Sequence, residues 1–256
     1  MSAEQYLGLD IGGSGVKAAI VDIASGTLVS DRERRETPDG GEPTAMLVDV
    51  GDLLRHFDWS GPVGCGFPGV IQHGKIQTAA NLSKAWIGRN LNDDLRRLGV
   101  LDAVVLNDAD AAGYGELHHM PEAEQQGCHL FLTVGTGLGS ALLYDGRLVA
   151  NTELGHLLVQ PKHAKKPLEA EDYISKVARK AAKLDWDDWA ARCSEVLTIF
   201  HGWFWPESFV LGGGVTKRWD KFADGIKAPV PVLPARLGNE AGIIGAAQFA
   251  AATLNA

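Results

Sequence analysis

The sequence predicts an α/β protein with two similar lobes around a cleft. Two units of strand, glycine-rich turn and strand carry this prediction, one turning at residues 11–15 and the other at residues 135–138. The second turn follows the first by about half of the 256 residues, a length that allows two sizeable lobes. A third observation is the stretch 104–113, where a short apolar strand ends at Asn107 and Asp108 and small, helix-compatible residues follow. Ligands of α/β folds bind at such strand ends.

The first hairpin joins predicted strands at residues 6–10 and 16–22, and residues 27–34 continue the sheet. Its glycine-rich turn bares backbone N–H groups that can bind phosphate, with Ser14 and Lys17 as further donors. A plain hairpin turn is the equally good alternative for this segment alone. The segment is not a P-loop, because the chain has no Gly-x-x-x-x-Gly-Lys-Ser/Thr motif.

Three elements follow: a helix over residues 44–57, a strand over residues 63–65 and a hairpin through Val70 and Ile76. The loop at residues 78–86 contains Asn81 and Trp86. A polar side chain beside an aromatic one suits sugar binding, and it suits a surface turn equally well. At the next strand end, the commoner role of a residue like Asp108 is to cap the following helix, and a ligand-binding role is the alternative.

The second hairpin joins predicted strands at residues 130–134 and 139–144. Its glycines do not match Gly-x-Gly-x-x-Gly before a helix, which disfavours a dinucleotide-binding fold. Beyond it, Glu153 and His156 are three positions apart and could face one ligand, either a metal ion or vicinal hydroxyl groups. Metal binding is the weaker interpretation because no second pair of ligand residues is nearby.

The C-terminal part begins with a basic segment, residues 162–183, which contains seven lysines and arginines against three acids. Helical spacing places Lys176, Lys180 and Lys183 on one face, most simply a solvated one. We then predict a helix over 187–204, a strand over 209–211 ending in three glycines, and a small-residue helix over 241–254. The tryptophans in and around the first of these helices are predicted core or interface residues: Trp186, Trp189, Trp203 and Trp205.

Composition narrows the class of protein. The net charge of −8 argues against a nucleic-acid or anionic-membrane binder, although a local basic patch could hold an anion. Cys65, Cys128 and Cys193 form neither a disulfide framework nor a zinc spacing, which favours a reducing, cytoplasmic environment. Residues 1–5 show no signal-peptide pattern, and no apolar run is long enough for a membrane span.

Five motifs together resemble the ROK family of sugar kinases, whose members have the actin-like, hexokinase-type ATPase fold with duplicated ribonuclease H-like lobes. They are Leu9-Asp10-Ile11-Gly12-Gly13, Asn107-Asp108-Ala109-Asp110-Ala111-Ala112, Gly135-Thr136-Gly137-Leu138-Gly139, Glu153-Leu154-Gly155-His156 and Gly212-Gly213-Gly214-Val215. The resemblance is closest to the polyphosphate glucokinase branch, through residues 78–82, 151–156 and 186–190. Many family members carry a cysteine-rich zinc motif after Glu-x-Gly-His. Here no cysteine lies between His156 and Cys193, so we expect no structural zinc.

The resemblance implies phosphoryl transfer from polyphosphate, or also ATP, to the 6-hydroxyl of glucose, with Asp108 as general base. It implies Mg²⁺ held by Asp10 and Asp108 through water, and a homodimer. The implied glucose ligands are Asn81, Asn107, Asp108, Glu153 and His156, with Glu171 as a further candidate in a variable segment. The implied ligands of the phosphate donor are Asp10, Gly12, Gly13, Ser14, Lys17, Gly135, Thr136, Gly137, Gly213, Gly214 and Lys217.

The implied lobes are residues 1–108 and 109–256, with the last helix packing back on the first lobe. One alternative function is that of an ATP-dependent ROK hexokinase. A more remote one is that of a non-catalytic sugar sensor, because the family includes repressors. Those carry a DNA-binding domain before the first hairpin, and a first strand near Tyr6 leaves no room for one. The retained Asp108 also favours an enzyme.

Overall fold

The computed structural model describes residues 4–162 and 164–256, and it forms two compact units. The first unit comprises the chain up to His119 together with Glu240–Ala256, and the second is Met120–Asn239. Residues 1–3, on which the expectation of no targeting signal partly rests, lie outside the described part. None of the helices within the described part combines the length and apolar character needed to cross a membrane.

The strands are β1 Gln5–Gly12, β2 Gly15–Asp22, β3 Thr27–Leu28, β4 Glu33–Arg35, β5 Val63–Phe67, β6 Ile71–Gln72, β7 Lys75–Ile76, β8 Ala103–Asn107, β9 Cys128–Val134, β10 Leu138–Tyr144, β11 Arg147–Val149, β12 Leu158–Val159, β13 Leu168–Glu169, β14 Ser208–Gly212 and β15 Val232–Pro234. The helices are α1 Pro43–His56, α2 Leu91–Arg97, α3 Asp108–His118, α4 Ala170–Ile174, α5 Lys176–Ala181, α6 Trp186–Phe204 and α7 Ala241–Leu254.

The two units share one sheet design. In the first, β1 pairs with β2 antiparallel and with β5 parallel, and β5 pairs with β8 parallel. In the second, β9 pairs with β10 antiparallel and with β14 parallel, and β14 pairs with β15 parallel. Each sheet therefore repeats a glycine-turn hairpin followed by two parallel strands, as the two glycine turns predict.

The first unit is completed by α7, which packs on the sheet and on α3 with very little space between backbones. A Cβ atom added at Gly64 of β5 would lie 1.9 Å from the Ala246 carbonyl oxygen. One added at Gly245 would lie 1.8 Å from the Ala111 carbonyl oxygen. Only glycine permits contacts this close, so α7 is fixed in place by the absence of side chains as much as by burial.

The core of the second unit is centred on α6, whose apolar stripe packs against the strands of its sheet. Trp189, Val196 and Phe200 are fully or almost fully buried together with Leu132 and Phe209. Of the tryptophans predicted to be core or interface residues, the two at the C-terminal end of this helix are not in the core. Trp203 is 51% exposed, and Trp205 just beyond the helix is 72% exposed.

Two local predictions need correction. The helix containing Lys176 and Lys180 ends at Ala181, and Lys183 follows it with a left-handed φ of 53°, so the three lysines do not share one helical face. Trp86 is fully buried and its indole N–H donates to the Gly41 carbonyl oxygen (2.9 Å). It therefore anchors the 78–86 loop in the core, and it is not exposed for a sugar to stack on.

Candidate active site

The β1–β2 turn presents an exposed tip, formed by Gly13 and Ser14. Its carbonyl oxygens are engaged by the segment around β4: the Thr37 hydroxyl donates to Gly12 O (2.6 Å) and the Arg34 guanidinium donates to Ser14 O (2.5 Å). Because these negative ends of the peptide dipoles are occupied, an anion at the tip meets less repulsion. The turn is thus suited to a phosphate group.

Asp10 and Lys17, both predicted ligands of the donor, face each other across β1 and β2. The Lys17 Nζ atom lies 2.6 Å from the Asp10 Oδ2 atom, and both side chains are mostly buried. Lys17 therefore neutralises the charge of Asp10 without any bound ligand. A cation that binds here competes with Lys17 for Asp10, and an anion competes with Asp10 for Lys17.

The residues present fit a hydrated Mg²⁺ ion. β1, β5 and β8 run parallel, with Asp10 opposite Gly66 and Gly66 opposite Leu106. Asp108 follows directly after β8, so two carboxylates emerge at the same edge of the sheet, about two strand spacings (~10 Å) apart. Gly66 has no side chain to fill the space between them. Oxygen ligands with water molecules between them and the ion are the coordination that Mg²⁺ favours.

The strand end at β8 divides two tasks between neighbouring residues. Asn107 caps α3: its Oδ1 atom accepts from the N–H groups of Ala109 (2.8 Å) and Asp110 (3.0 Å). Its amide also donates to the Gly69 carbonyl oxygen (3.2 Å), and the side chain is buried. The capping role considered for Asp108 is therefore carried by Asn107. The proposed contact of Asn107 with glucose stays a prediction.

Asp108 is half-buried at the first position of α3, where the helix dipole stabilises a carboxylate. Its Oδ1 atom accepts from the Ala109 N–H group (2.8 Å). This bond orients the carboxyl group relative to the sheet edge, as a positioned base requires.

Asn81 lies directly against the β1–β2 turn. A Cβ atom added at Gly13 would be 2.9 Å from the Asn81 Cβ atom, so the glycine permits this approach. Asn81 is exposed and has a left-handed φ of 58°. The first unit therefore brings a predicted glucose residue into contact with a predicted phosphate turn.

The second unit makes the same kind of juxtaposition at the β9–β10 turn. A Cβ atom at Gly155 would lie 2.0 Å from the Leu138 carbonyl oxygen, which explains the glycine between Glu153 and His156. The Leu138 N–H group donates to the Glu171 Oε2 atom (3.3 Å). Three predicted glucose residues are thereby collected beside the second glycine turn.

Within this cluster His156 is surrounded by carboxylates. Its Nδ1 atom lies 2.8 Å from Glu169 Oε2 and 3.9 Å from Glu171 Oε1, and its Nε2 atom lies 3.8 Å from Glu153 Oε2. The hydrogen bond to Glu169 is the main cause of a raised pKa for His156, and the charges of the three glutamates add to it. Burial raises the pKa of Glu153, Glu171 adds to the effect, and His156 opposes it.

Glu153 also has a strained backbone, with a left-handed φ of 46°. A non-glycine residue in this conformation costs roughly 1 kcal/mol, and such strain is concentrated at functional sites. This observation supports a binding role for Glu153.

Sequence reasoning missed Glu169. Glu169 lies two positions before Glu171, which is the one sequence feature that could have indicated it. The pairing of β12 with β13 is what brings it to His156. Within the described residues, one group of three ligand-type side chains could hold a cation: His156, Glu169 and Glu171, with ligand atoms within 4.8 Å of one another. The same polar atoms can bind vicinal hydroxyl groups.

The other predicted ligands of the phosphate donor belong to the second unit, and one of them, Gly213, packs against the end of β9 beside the second turn. Gly213 has a φ of 82°, and a Cβ atom there would lie 2.7 Å from the Val134 carbonyl oxygen at the end of β9. Gly214 and Lys217 follow in an exposed 3₁₀ turn. The Lys176 N–H group donates to the Gly135 carbonyl oxygen (3.0 Å), which places the start of α5 at the same turn, beside the exposed Thr136 and near Gly137.

Comparison with known proteins gives a consistent result. The ROK family model matches residues 6–167. The polyphosphate glucokinase of Mycobacterium tuberculosis strain H37Rv is 39% identical over 246 residues, covering 96% of this chain and 91% of that protein. The polyphosphate glucokinase of Mycobacterium leprae is 36% identical over 252 residues, covering 98% and 76%.

Solved structures of sugar kinases also resemble this chain. The inorganic polyphosphate/ATP-glucomannokinase of Arthrobacter sp. strain KM superposes with a TM-score of 0.87 at 38% identity, covering 97% of this chain and 99% of that one. A ROK family glucokinase from Streptomyces griseus, in complex with glucose and AMPPNP, gives a TM-score of 0.79 at 22% identity, covering 97% and 100%. The latter likeness concerns the fold alone. Together they confirm the predicted actin-like, hexokinase-type fold.

Proposed function

Because this chain belongs to the ROK family, we propose that it is a polyphosphate glucokinase, a phosphotransferase that moves a phosphoryl group from inorganic polyphosphate to the 6-hydroxyl of glucose. One observation carries the proposal beyond family membership. In each unit, a predicted glucose residue lies against a predicted phosphate turn: Asn81 against Gly13, and Glu171 against Gly137, where an added Cβ atom would be 2.6 Å from Glu171 Oε2. A sugar kinase needs this neighbourhood, because the sugar hydroxyl must reach the phosphorus atom.

In the proposed reaction the O6 atom of glucose bonds to the terminal phosphorus of the donor. The bond from that phosphorus to the bridging oxygen breaks, which shortens the polyphosphate by one unit. Asp108 takes the O6 proton as the bond forms. Mg²⁺, when bound, neutralises phosphate charge, and Asp10 and Asp108 would hold it through water.

Each of the two glycine turns is proposed to bind phosphate groups of the donor, and Gly213, Gly214 and Lys217 are proposed to extend the binding surface at the second turn. We also propose a cytoplasmic homodimer, on the family resemblance. The net charge of −8 argues against a general nucleic-acid binder. The positive charge that binds polyphosphate must therefore come from local groups of lysines.

The test of the donor is a coupled glucose-6-phosphate assay with polyphosphate or ATP as the sole donor. We expect polyphosphate to be the better donor and its activity to fall steeply with added salt, because exposed charges are screened. Fast phosphorylation with ATP and none with polyphosphate would instead support the ATP-dependent ROK hexokinase. No glucose phosphorylation with either donor would leave the sugar sensor.

Charge reversal locates the polyphosphate. Lys217 and Lys221 are exposed and lie in the 3₁₀ segment that begins at Gly214, and Lys176 and Lys180 are exposed on α5. Reversing the charges of either pair is expected to raise the KM for long polyphosphate more than the KM for a triphosphate. The control is the double reversal of Lys75 and Arg96, which are also exposed and lie in the first unit. Equal effects of the control and the test variants would contradict the assignment.

The glucose residues have a separate test. Glu153→Gln and His156→Ala are expected to weaken glucose binding about 10- to 100-fold, because sugar hydroxyl groups would lose hydrogen-bond partners in the complex. Isothermal calorimetry with glucose measures this directly, and Glu122→Gln on the exposed surface of the same unit is the control. If both variants bind glucose like the wild type, the pair is structural.

A further inference from the structure

Arg34 lies in a row of charged side chains across the first sheet. The pairing of β1 with β2 sets Asp10 opposite Lys17, and the pairing of β2 with β4 sets Lys17 opposite Arg34. Directly opposite residues of antiparallel strands point to the same face. The neighbours Glu33 and Arg35 alternate to the other face, where they pair with each other at 3.1 Å.

The guanidinium of Arg34 lies against the β1–β2 turn, at Ser14 and Gly15. Arg34 Nη2 donates to the Ser14 carbonyl oxygen (2.5 Å). A Cβ atom added at Gly15 would lie 2.7 Å from Arg34 Nε and 2.8 Å from the Arg35 carbonyl oxygen. The absence of a side chain at position 15 therefore leaves room for both the guanidinium and the β4 backbone beside the turn.

The charge of Arg34 is only weakly compensated, in contrast to its neighbour in the row. Lys17 is neutralised by Asp10 at 2.6 Å. The carboxylate paired with Arg34 is that of Glu36, at 3.8 Å and 89% exposed, and a pair this exposed contributes little. The Arg34 side chain is itself 44% exposed. Among the residues that the structure describes, its fork of five N–H donors makes a single hydrogen bond, to Ser14.

We infer that Arg34 is a further donor-binding residue, whose guanidinium binds a phosphate group of the polyphosphate chain at the tip of the β1–β2 turn. This inference rests on the proposed function, since it names a residue of the same donor site. The planar fork matches phosphate oxygens and is weakly hydrated, which makes arginine well suited to this contact.

The test compares three single variants in steady-state kinetics. Arg34→Gln is expected to raise the KM for polyphosphate about tenfold or more, with the KM for glucose and kcat changed less than twofold. Arg34→Lys keeps the charge and loses the fork, so we expect an intermediate KM. Arg35→Gln, one position along the strand on the opposite face, is the control and should leave the KM for polyphosphate unchanged. The salt dependence of the KM should become shallower in Arg34→Gln alone.

Calorimetry of polyphosphate binding without glucose separates this inference from the proposed function. Suppose that the wild type phosphorylates glucose from polyphosphate and that Arg34→Gln has the same KM and affinity for polyphosphate. That result leaves the proposed function intact and overturns the role of Arg34. A lower thermal midpoint with equal losses toward both substrates would also overturn it, because that pattern means a structural role. A wild type that binds polyphosphate through Arg34 but transfers nothing to glucose overturns the proposed function and leaves this inference standing.

Discussion

Replacing Asp108 with asparagine is expected to lower kcat at least ~100-fold with glucose and polyphosphate at saturation. Asparagine has the same shape, and its Oδ1 atom can keep the bond that Asp108 accepts from the Ala109 N–H group. The change therefore removes basicity and leaves the position of the side chain almost unaltered. The KM for glucose should change much less than kcat, because the base acts chiefly as the proton leaves.

The control for this experiment is Asp93→Asn, which alters an exposed carboxylate in the first turn of α2. Like Asp108 it lies in the first turn of a helix, but it lies outside the proposed site, so its kcat should equal that of the wild type. Circular dichroism and thermal unfolding should be alike for both variants and the wild type. Near-normal turnover of Asp108→Asn would eliminate Asp108 as the general base.

Gly245→Ala is expected to cost about 3 kcal/mol or more of the free energy of unfolding, among the largest effects of any methyl group in this chain. The added Cβ atom would lie 1.8 Å from the Ala111 carbonyl oxygen and 2.7 Å from the Gly115 nitrogen. Both obstacles belong to the backbone of α3, which cannot move aside as a side chain could. For a chain of this size, such a loss lowers the thermal midpoint by roughly 6–12 °C.

A matched helical glycine gives the control. Gly202 lies in α6, and a Cβ atom there would meet nothing within 4 Å. Gly202→Ala should therefore leave the thermal midpoint unchanged or raise it slightly, because alanine favours a helix by up to ~1 kcal/mol. Similar midpoints for Gly245→Ala and Gly202→Ala would show that α3 and α7 separate without cost.

Local sequence pattern was enough for the elements that carry their own signals. The two glycine-turn hairpins and the helix Ala241–Leu254 appear where apolar periodicity and glycine placement predict them. Their repetition in the two units follows from the same signals. What the pattern could not specify is pairing between distant segments. The register of β4 on β2, which brings Arg34 to the first turn, depends on contacts that no local period encodes.

In the candidate site, too, some features could be predicted from local sequence and others could not. Glycines and carboxylates at strand ends were enough to predict Asp10, Asp108 and the two turns as site components. Single-residue assignments at an element boundary were harder, because Asn107 and Asp108 can both cap a helix and the outcome depends on where β8 ends. Trp86 illustrates a third limit, since an aromatic residue in an irregular loop gives no sign of whether it faces the core.

The position of α7 has a consequence for biosynthesis. The first unit needs residues from both ends of the chain, whereas Met120–Asn239 is continuous. On the ribosome, the strands β1, β5 and β8 must therefore wait with the face around Gly64 uncovered until residues 241–254 have emerged from the exit tunnel. The second unit has all of its residues earlier and can fold first. A nascent chain stalled before Ala241 would hold one finished unit and one exposed apolar sheet, the kind of intermediate that chaperones bind and proteases remove.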